Sequence, residues 1–275
     1  MSEIVDPRTV PVRFTRLKNI ASSPAHYFDS VQHDGDDSLA RRIGRGVHAL
    51  LFGQPVAVWT GKVRRGKEWD AWSAEHSGKV VLNIKERDHA GAVANAVRSD
   101  PQARELLFAD GTKLERTIEW RVNGRLCRGT PDAYNRRAVT DLKTHRRMPP
   151  ARFISTATWA AYHSQVPWYA NGLISLDEID EDAGQYIVAV ESSRPYPVTT
   201  YRLTPGAIDM GQRLYTAWME TLATCEAANQ WPAYAQSIQP FHVEEPTELI
   251  FGDEEDEPAL DDIFGPVNTE ESEAA

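Results

Sequence analysis

Glu115, Asp132, Asp141 and Lys143 fall within one short stretch, Lys113 to Thr144, reading KLERTIEWRVNGRLCRGTPDAYNRRAVTDLKT. Three acids and a lysine brought together suit a divalent cation held by oxygen ligands, with an amine beside it to polarise or deprotonate water. The pattern of the stretch says how they could meet. Lys113–Val122, Arg125–Tyr134 and Ala138–Lys143 read as three consecutive strands, the first two joined at Asn123-Gly124. Asn-Gly between β-branched runs is a strong hairpin signal, because both residues tolerate positive φ. A two-residue turn sets Val122 against Arg125, Glu119 against Arg128 and Glu115 against Asp132. Glu119 and Arg128 satisfy each other as an ion pair. Glu115 and Asp132 have no such partner, and carboxylates opposed at about 4.5–5.5 Å repel unless a proton or cation lies between them. On the third strand Asp141 and Lys143 share a face, with Leu142 pointing the other way.

Pro131-Asp132, eight intervening residues and Asp141-Leu142-Lys143 resemble the PD-(D/E)xK nuclease motif. The flanking Cys127-Arg128-Gly129-Thr130-Pro131-Asp132 and Asp141-Leu142-Lys143-Thr144 resemble the RecE (exonuclease VIII) branch of phage recombination exonucleases. The likeness runs over roughly residues 14–240. It implies an α/β (α+β) restriction-endonuclease-like core, a central mixed sheet flanked by helices. It also implies Mg²⁺-dependent degradation of one strand of linear duplex DNA from its 5′ end, leaving a 3′ overhang. A homo-oligomeric ring and a RecT-like single-strand annealing partner come with it. On this resemblance Glu115, Asp132 and Asp141, with His48 and the Leu142 carbonyl, hold the metal, and Lys143 acts on water or stabilises charge. Mn²⁺ is compatible with the same ligands. Lys143, near bound cations, is expected to have its ammonium form disfavoured.

Two further stretches join the resemblance. A histidine beside the apolar stripe of a helix is ordinarily a boundary residue. Here Gly44-Arg45-Gly46-Val47-His48-Ala49-Leu50-Leu51 resembles the His-bearing helix of RecE-like and RecB-like nucleases, in which the histidine is a ligand. Gln165 and Tyr169, four apart on one helical face, could be a surface amide beside a half-buried ring. Yet Tyr162-His163-x-Gln165-x-x-x-Tyr169 resembles the Gln-x-x-x-Tyr element that follows the catalytic lysine in RecB-type nucleases. Pro167 between them must kink the helix, or a new helix starts at Gln165.

The elements that would position these residues follow from periodicity. Residues 1–12 read as an extended leader, and Phe14–Phe28 as a short helix that Ser23-Pro24 restarts. Gln32–Asp37 reads as a polar loop, and Ser38–Phe52 as a helix with Leu39, Ile43, Val47, Leu50 and Leu51 at helical spacing. Val56–Trp59 and Lys79–Ile84 are expected strands around a helix over Lys67–His76. Helices are expected over Lys85–Arg98, over Pro101–Phe108 after an Asp100 cap, and over Ala151–Ser175. Gly184–Ser192 and Val198–Leu203 read as a hairpin. Pro205–Asn229 reads as an amphipathic helix burying Ile208, Leu214, Trp218, Leu222 and Cys225, with Trp231-Pro232-x-Tyr234 packing after it.

The net charge of −10 over 275 residues would by itself argue against nucleic acid. Residues 244–275, however, carry 13 acids and no Lys or Arg, so residues 1–243 hold 30 basic against 27 acidic groups. The body, expected as one exonuclease domain over 1–243, is mildly basic. The acidic text from Glu244 onward cannot bury enough apolar surface to fold alone, and is expected to be a disordered tail. Arg45, Arg64, Arg65, Arg146 and Arg147 belong to basic clusters suited to DNA phosphates; the alternative for each is a solvated surface charge. Cys127 and Cys225 are too few for an iron–sulfur cluster or a disulfide framework. No apolar run approaches the ~18 residues of a membrane span, and MSEIVDPRTV lacks signal-peptide character, so a cytoplasmic protein is expected. An endonuclease or repair nuclease on the same fold, and a non-catalytic DNA-binding module, remain alternatives.

Overall fold

The architecture is known from a computed structural model that describes residues 4–33 and 37–234, together with 237, 238 and 240. It is a mixed α+β fold. Its elements in chain order are α1 (Phe14–Leu17), α2 (Pro24–Gln32), α3 (Leu39–Phe52), β1 (Val56–Trp59), α4 (Lys67–Glu75), β2 (Val80–Asn83), α5 (Ile84–Ser99) and α6 (Pro101–Phe108). Then come β3 (Lys113–Leu114), β4 (Ile118–Val122), β5 (Arg125–Gly129), β6 (Ala133–Asn135), β7 (Ala138–His145), α7 (Pro150–Trp159), α8 (Tyr162–Ser175), β8 (Gly184–Glu191), β9 (Val198–Arg202) and α9 (Pro205–Ala228).

The main sheet has the order β3-β6-β7-β8-β9, with β7 and β8 parallel and the other pairs antiparallel. One face of it carries Val139, Ile187 and Ala189, packed with Phe14, Leu17, Phe153, Trp168, Leu173, Trp218 and Leu222 from the helices on that side. The other carries Leu142, Val188 and Val190 against Val47, Leu51, Val93, Val97 and Leu107 of α3, α5 and α6. Alternation along β7 therefore commits Leu142 to the α3 side and Asp141 and Lys143 to the α8 side. Ser23 and Asp100 cap their helices as the sequence predicts, and Ser38 lies just before its helix as a third cap; each accepts an amide from the first turn.

The hairpin register is as expected, with Val122 facing Arg125 and Glu119 facing Arg128. The two long strands, however, are each broken. β3 and β6 belong to the main sheet, whereas β4 and β5 form a separate two-stranded sheet. The ladder stops where Pro131 has no N–H to give, and it resumes as Glu115 N–H donates to the Asp132 carbonyl at 2.9 Å. Glu115 itself has a φ of +43°. The kink lies at the residue pair that the hairpin register sets opposite each other.

Three other expectations are corrected. The leader is not free chain: Val12 is fully buried and forms a bridge to Cys127, with amide bonds to Leu126 and from Arg128 at 2.9 and 2.8 Å. Arg125 fastens it further by donating to the Pro7 and Val10 carbonyls while pairing with Glu226 of α9. The helical region 151–175 is two helices, separated at Ala161, whose φ is +58°. Pro167 sits inside α8, which neither ends nor restarts there. The His163 carbonyl that Pro167 leaves without its helical donor faces Gly211 of α9, where a Cβ would come within 2.1 Å of it. In α9 the buried side runs through Tyr215, Trp218, Met219, Leu222 and Cys225, while Ile208 and Leu214 are only half-buried. Trp231 stacks on Tyr27 at 5.8 Å. Part of the polar loop 32–37 and the acidic tail lie outside the described residues, and among the described ones no helix is long and apolar enough to cross a membrane.

Because Val12 has no polar partner for its side chain in this packing, Val12→Ser should destabilise the protein by about 1–3 kcal/mol. Chemical denaturation reads this directly; unchanged stability would mean that the leader does not contribute to the core.

Candidate active site

The kinked ladder presents two carboxylates, and α3 brings a histidine between them. Close packing of α3 makes this possible. A Cβ at Gly46 would come 2.9 Å from Leu82, and one at Gly44 would come 3.1 Å from Thr144 of β7. One helical turn beyond Gly44, His48 Nδ1 lies 3.3 Å from Asp132 Oδ1 and 3.5 Å from Glu115 Oε1. Glu115 also accepts from Gln54, and Asp132 Oδ2 accepts the Leu142 amide at 2.6 Å. The cleft above them, about 300 Å³, is lined by Gly44, Arg45, His48, Gln54, Val80 and Glu115.

On the other side of β7, Lys143 Nζ lies 2.7 Å from Asp141 Oδ2 and donates to Gln165 Oε1 at 3.0 Å. Gln165 in turn donates to the Tyr169 hydroxyl at 2.9 Å. Both residues of this pair are buried, so the surface-amide alternative does not hold. Gly129 makes room for Tyr169, since a Cβ there would come within 2.8 Å of its ring. Tyr162 lies under the Lys143 ammonium at 4.7 Å from ring centroid to nitrogen.

Electrostatics follow from burial and crowding. Burial would depress His48, but the charge of Asp132 and hydrogen bonds to Asp132 and Glu115 outweigh it and raise its pKa to about 10. Asp132 is buried too, which opposes ionisation; His48 and Lys143 nevertheless hold it below the usual carboxylate range. Asp141 goes the other way, pushed up by burial and by Asp132 despite Lys143. Lys143 is buried, yet Asp141 and Asp132 raise its pKa. The neighbouring acids thus favour the Lys143 ammonium, whereas the expectation that it is disfavoured concerns Lys143 beside bound cations.

The donor set fits a divalent cation. One ligand atom each from His48, Glu115 and Asp132 lies within 4.8 Å of the others, and two carboxylates with an imidazole make a donor set that a divalent cation can use. Asp141 is not in this trio and is engaged by Lys143; of Leu142, the amide is what Asp132 engages.

The proposed phosphate contacts divide. Arg45 pairs with Asp37, and Arg64 with Glu86 and Asp37, partners distant in sequence. Arg65, Arg146 and Arg147 are exposed and have no ion pair among the described residues. Gln54, Tyr162 and Gly129 were not singled out from sequence. Nothing local marks Gln54, but Gly129 stands in the string that leads to Asp132, and Tyr162 at the head of the string that holds Gln165.

Comparison with known proteins places this geometry in a family. Residues 14–243 match the "PDDEXK-like domain of unknown function (DUF3799)". The chain belongs to that family. No curated protein matches it. Its fold is similar to the crystal structure of a "Putative exonuclease" from Eubacterium rectale, with a TM-score of 0.60 at 11% identity. That likeness covers 86% of this chain and 91% of the other, and at such identity it is one of fold.

In this PDDEXK-like site a cation must displace the His48 proton, so metal affinity should rise with pH, by about tenfold per unit between about pH 6 and pH 8. Calorimetric titration with Mn²⁺ checks this, and a flat profile would mean that His48 is no ligand. Glu115→Gln should weaken binding by about tenfold or more, whereas Glu119→Gln, whose partner is Arg128, should not change it.

Proposed function

We propose that the protein is a divalent-metal-dependent exodeoxyribonuclease acting on the ends of linear duplex DNA. The observation that carries the proposal is the donor trio of His48, Glu115 and Asp132, with the charge of Lys143 acting on Asp132 and Lys143 itself held by Asp141. Family membership and the fold it shares with the protein titled "Putative exonuclease" support it. When bound, Mg²⁺ would lower the pKa of water and neutralise charge on the scissile phosphate. Glu115, Asp132 and His48 would hold it. Lys143, fixed by Asp141 and Gln165, would meet the attacking water or a phosphate oxygen. Tyr169 holds Gln165 in place and so positions the lysine. Arg65, Arg146 and Arg147 would contact the DNA backbone.

The finer reading follows the RecE resemblance: 5′→3′ resection that leaves 3′ overhangs, a ring-like homo-oligomer that retains its DNA, and handover to a single-strand annealing protein. Digestion of linear duplex labelled at either the 5′ or the 3′ end, beside a nicked circle, reads reaction and polarity together. Mg²⁺-dependent early release of the 5′ label with the circle intact is the expected result. Cleavage of the circle would make the enzyme an endonuclease. Lys143→Ala should lower the rate by about 10²–10⁴-fold. A variant as active as the parent would remove Lys143 from the chemistry.

A further inference from the structure

The segment between β1 and β2 gathers aromatic rings at the surface rather than in either core. Trp59 contacts Trp69 and Trp72 at 5.3 and 5.1 Å, Trp69 and Trp72 stack at 5.9 Å, and Trp72 stacks on His76 at 4.0 Å. α4, which carries Trp69 and Trp72, buries none of its residues. Trp59 alone is buried, and Gly61 lets the chain pass over it, since a Cβ there would overlap its ring at 2.2 Å. Such a ladder of half-exposed indoles is costly to leave facing water unless something covers it.

Charge and continuity say what covers it. The Arg64 guanidinium lies 6.0 Å over Trp69. A groove of about 320 Å³ is lined by Arg64, Trp69, Lys79 and Asp37, the acid that pairs with Arg45 and Arg64, and it shares Arg45 and Val80 with the cleft that holds His48 and Glu115. A path therefore leads from the catalytic carboxylates, past Arg45, to flat ring faces flanked by cations. In a duplex the faces of the bases are already covered by their neighbours. Only unpaired bases can use such half-exposed indoles, and basic groups with interleaved aromatics are what such strands require.

We propose that Trp69 and Trp72, with Arg64 and Lys79, form a stacking platform for unpaired DNA next to the catalytic cleft. This rests on the cleft being a nuclease site, since the cleft supplies the strand. The platform would hold the strand by its bases, without regard to sequence, while its phosphates run along Arg45, Arg64 and Lys79.

The test is binding of oligo(dT) to the full chain in EDTA, where no cleavage competes, followed by anisotropy and by tryptophan fluorescence. Trp69→Leu and Trp72→Leu should each weaken binding roughly 5- to 100-fold, with a smaller loss for blunt duplex. The double variant Trp69→Phe/Trp72→Phe keeps two flat rings. It should retain affinity but lose the fluorescence quenching that oligo(dT) causes in the parent. That separates stacking from a structural role, and it decides the matter should a leucine variant fail to fold. Unchanged affinity in folded leucine variants, or quenching that persists in the phenylalanine variant, would overturn the proposal. So would a shift in sedimentation with oligo(dT) binding intact, which would assign the rings to a protein contact. Mg²⁺-dependent cleavage by the parent is scored separately, so active enzyme with no platform effect sinks this inference alone.

Discussion

Two negative charges forced together organise the molecule. Hairpin register sets Glu115 against Asp132, and their ligand oxygens lie within 4.8 Å. At an effective dielectric near 20 that repulsion is about 3–4 kcal/mol, a sizeable share of the ~5–15 kcal/mol by which domains are stable. The surroundings answer it with a proton on His48, a side-chain amide from Gln54 and the Leu142 peptide N–H. A site that must recruit so many donors to tolerate its own charge is one that a cation would relieve.

The main sheet keeps the two halves of the chemistry apart until its edge. On β7, Leu142 is committed to the core beneath α3, so Asp141 and Lys143 must face α8, where Gln165 and Tyr169 receive the lysine. His48 comes from the opposite side, on a helix whose glycines let it lie close to β2 and β7. The two sets are linked through Asp132, which accepts the Leu142 amide and is held ionised by the charges of both His48 and Lys143.

Local chemistry was legible in the sequence. Asn123-Gly124 fixed the pairing of Glu119 with Arg128, alternation fixed the faces of β7, and Ser38 and Asp100 marked helix starts. What was not legible depended on partners that folding supplies. Arg45 and Arg64 read as basic groups suited to phosphate, and their sequence surroundings did not show that Asp37 and Glu86 also pair with them. Val12 looked like leader because its contacts come from β5. Gln165 was placed at the site by resemblance alone, since nothing in α8 by itself reveals that Lys143 lies across from it. The charge of Lys143 is favoured by Asp141 and Asp132, which its own sequence surroundings show only in part; the expected disfavouring belongs to the cation-bound site.

The most direct test of this account is an anomalous difference map from crystals of the protein grown with Mn²⁺. The account requires a peak within coordination distance of His48, Glu115 and Asp132 together. Manganese found only elsewhere on the molecule, with His48 still lodged between the two carboxylates, would contradict it.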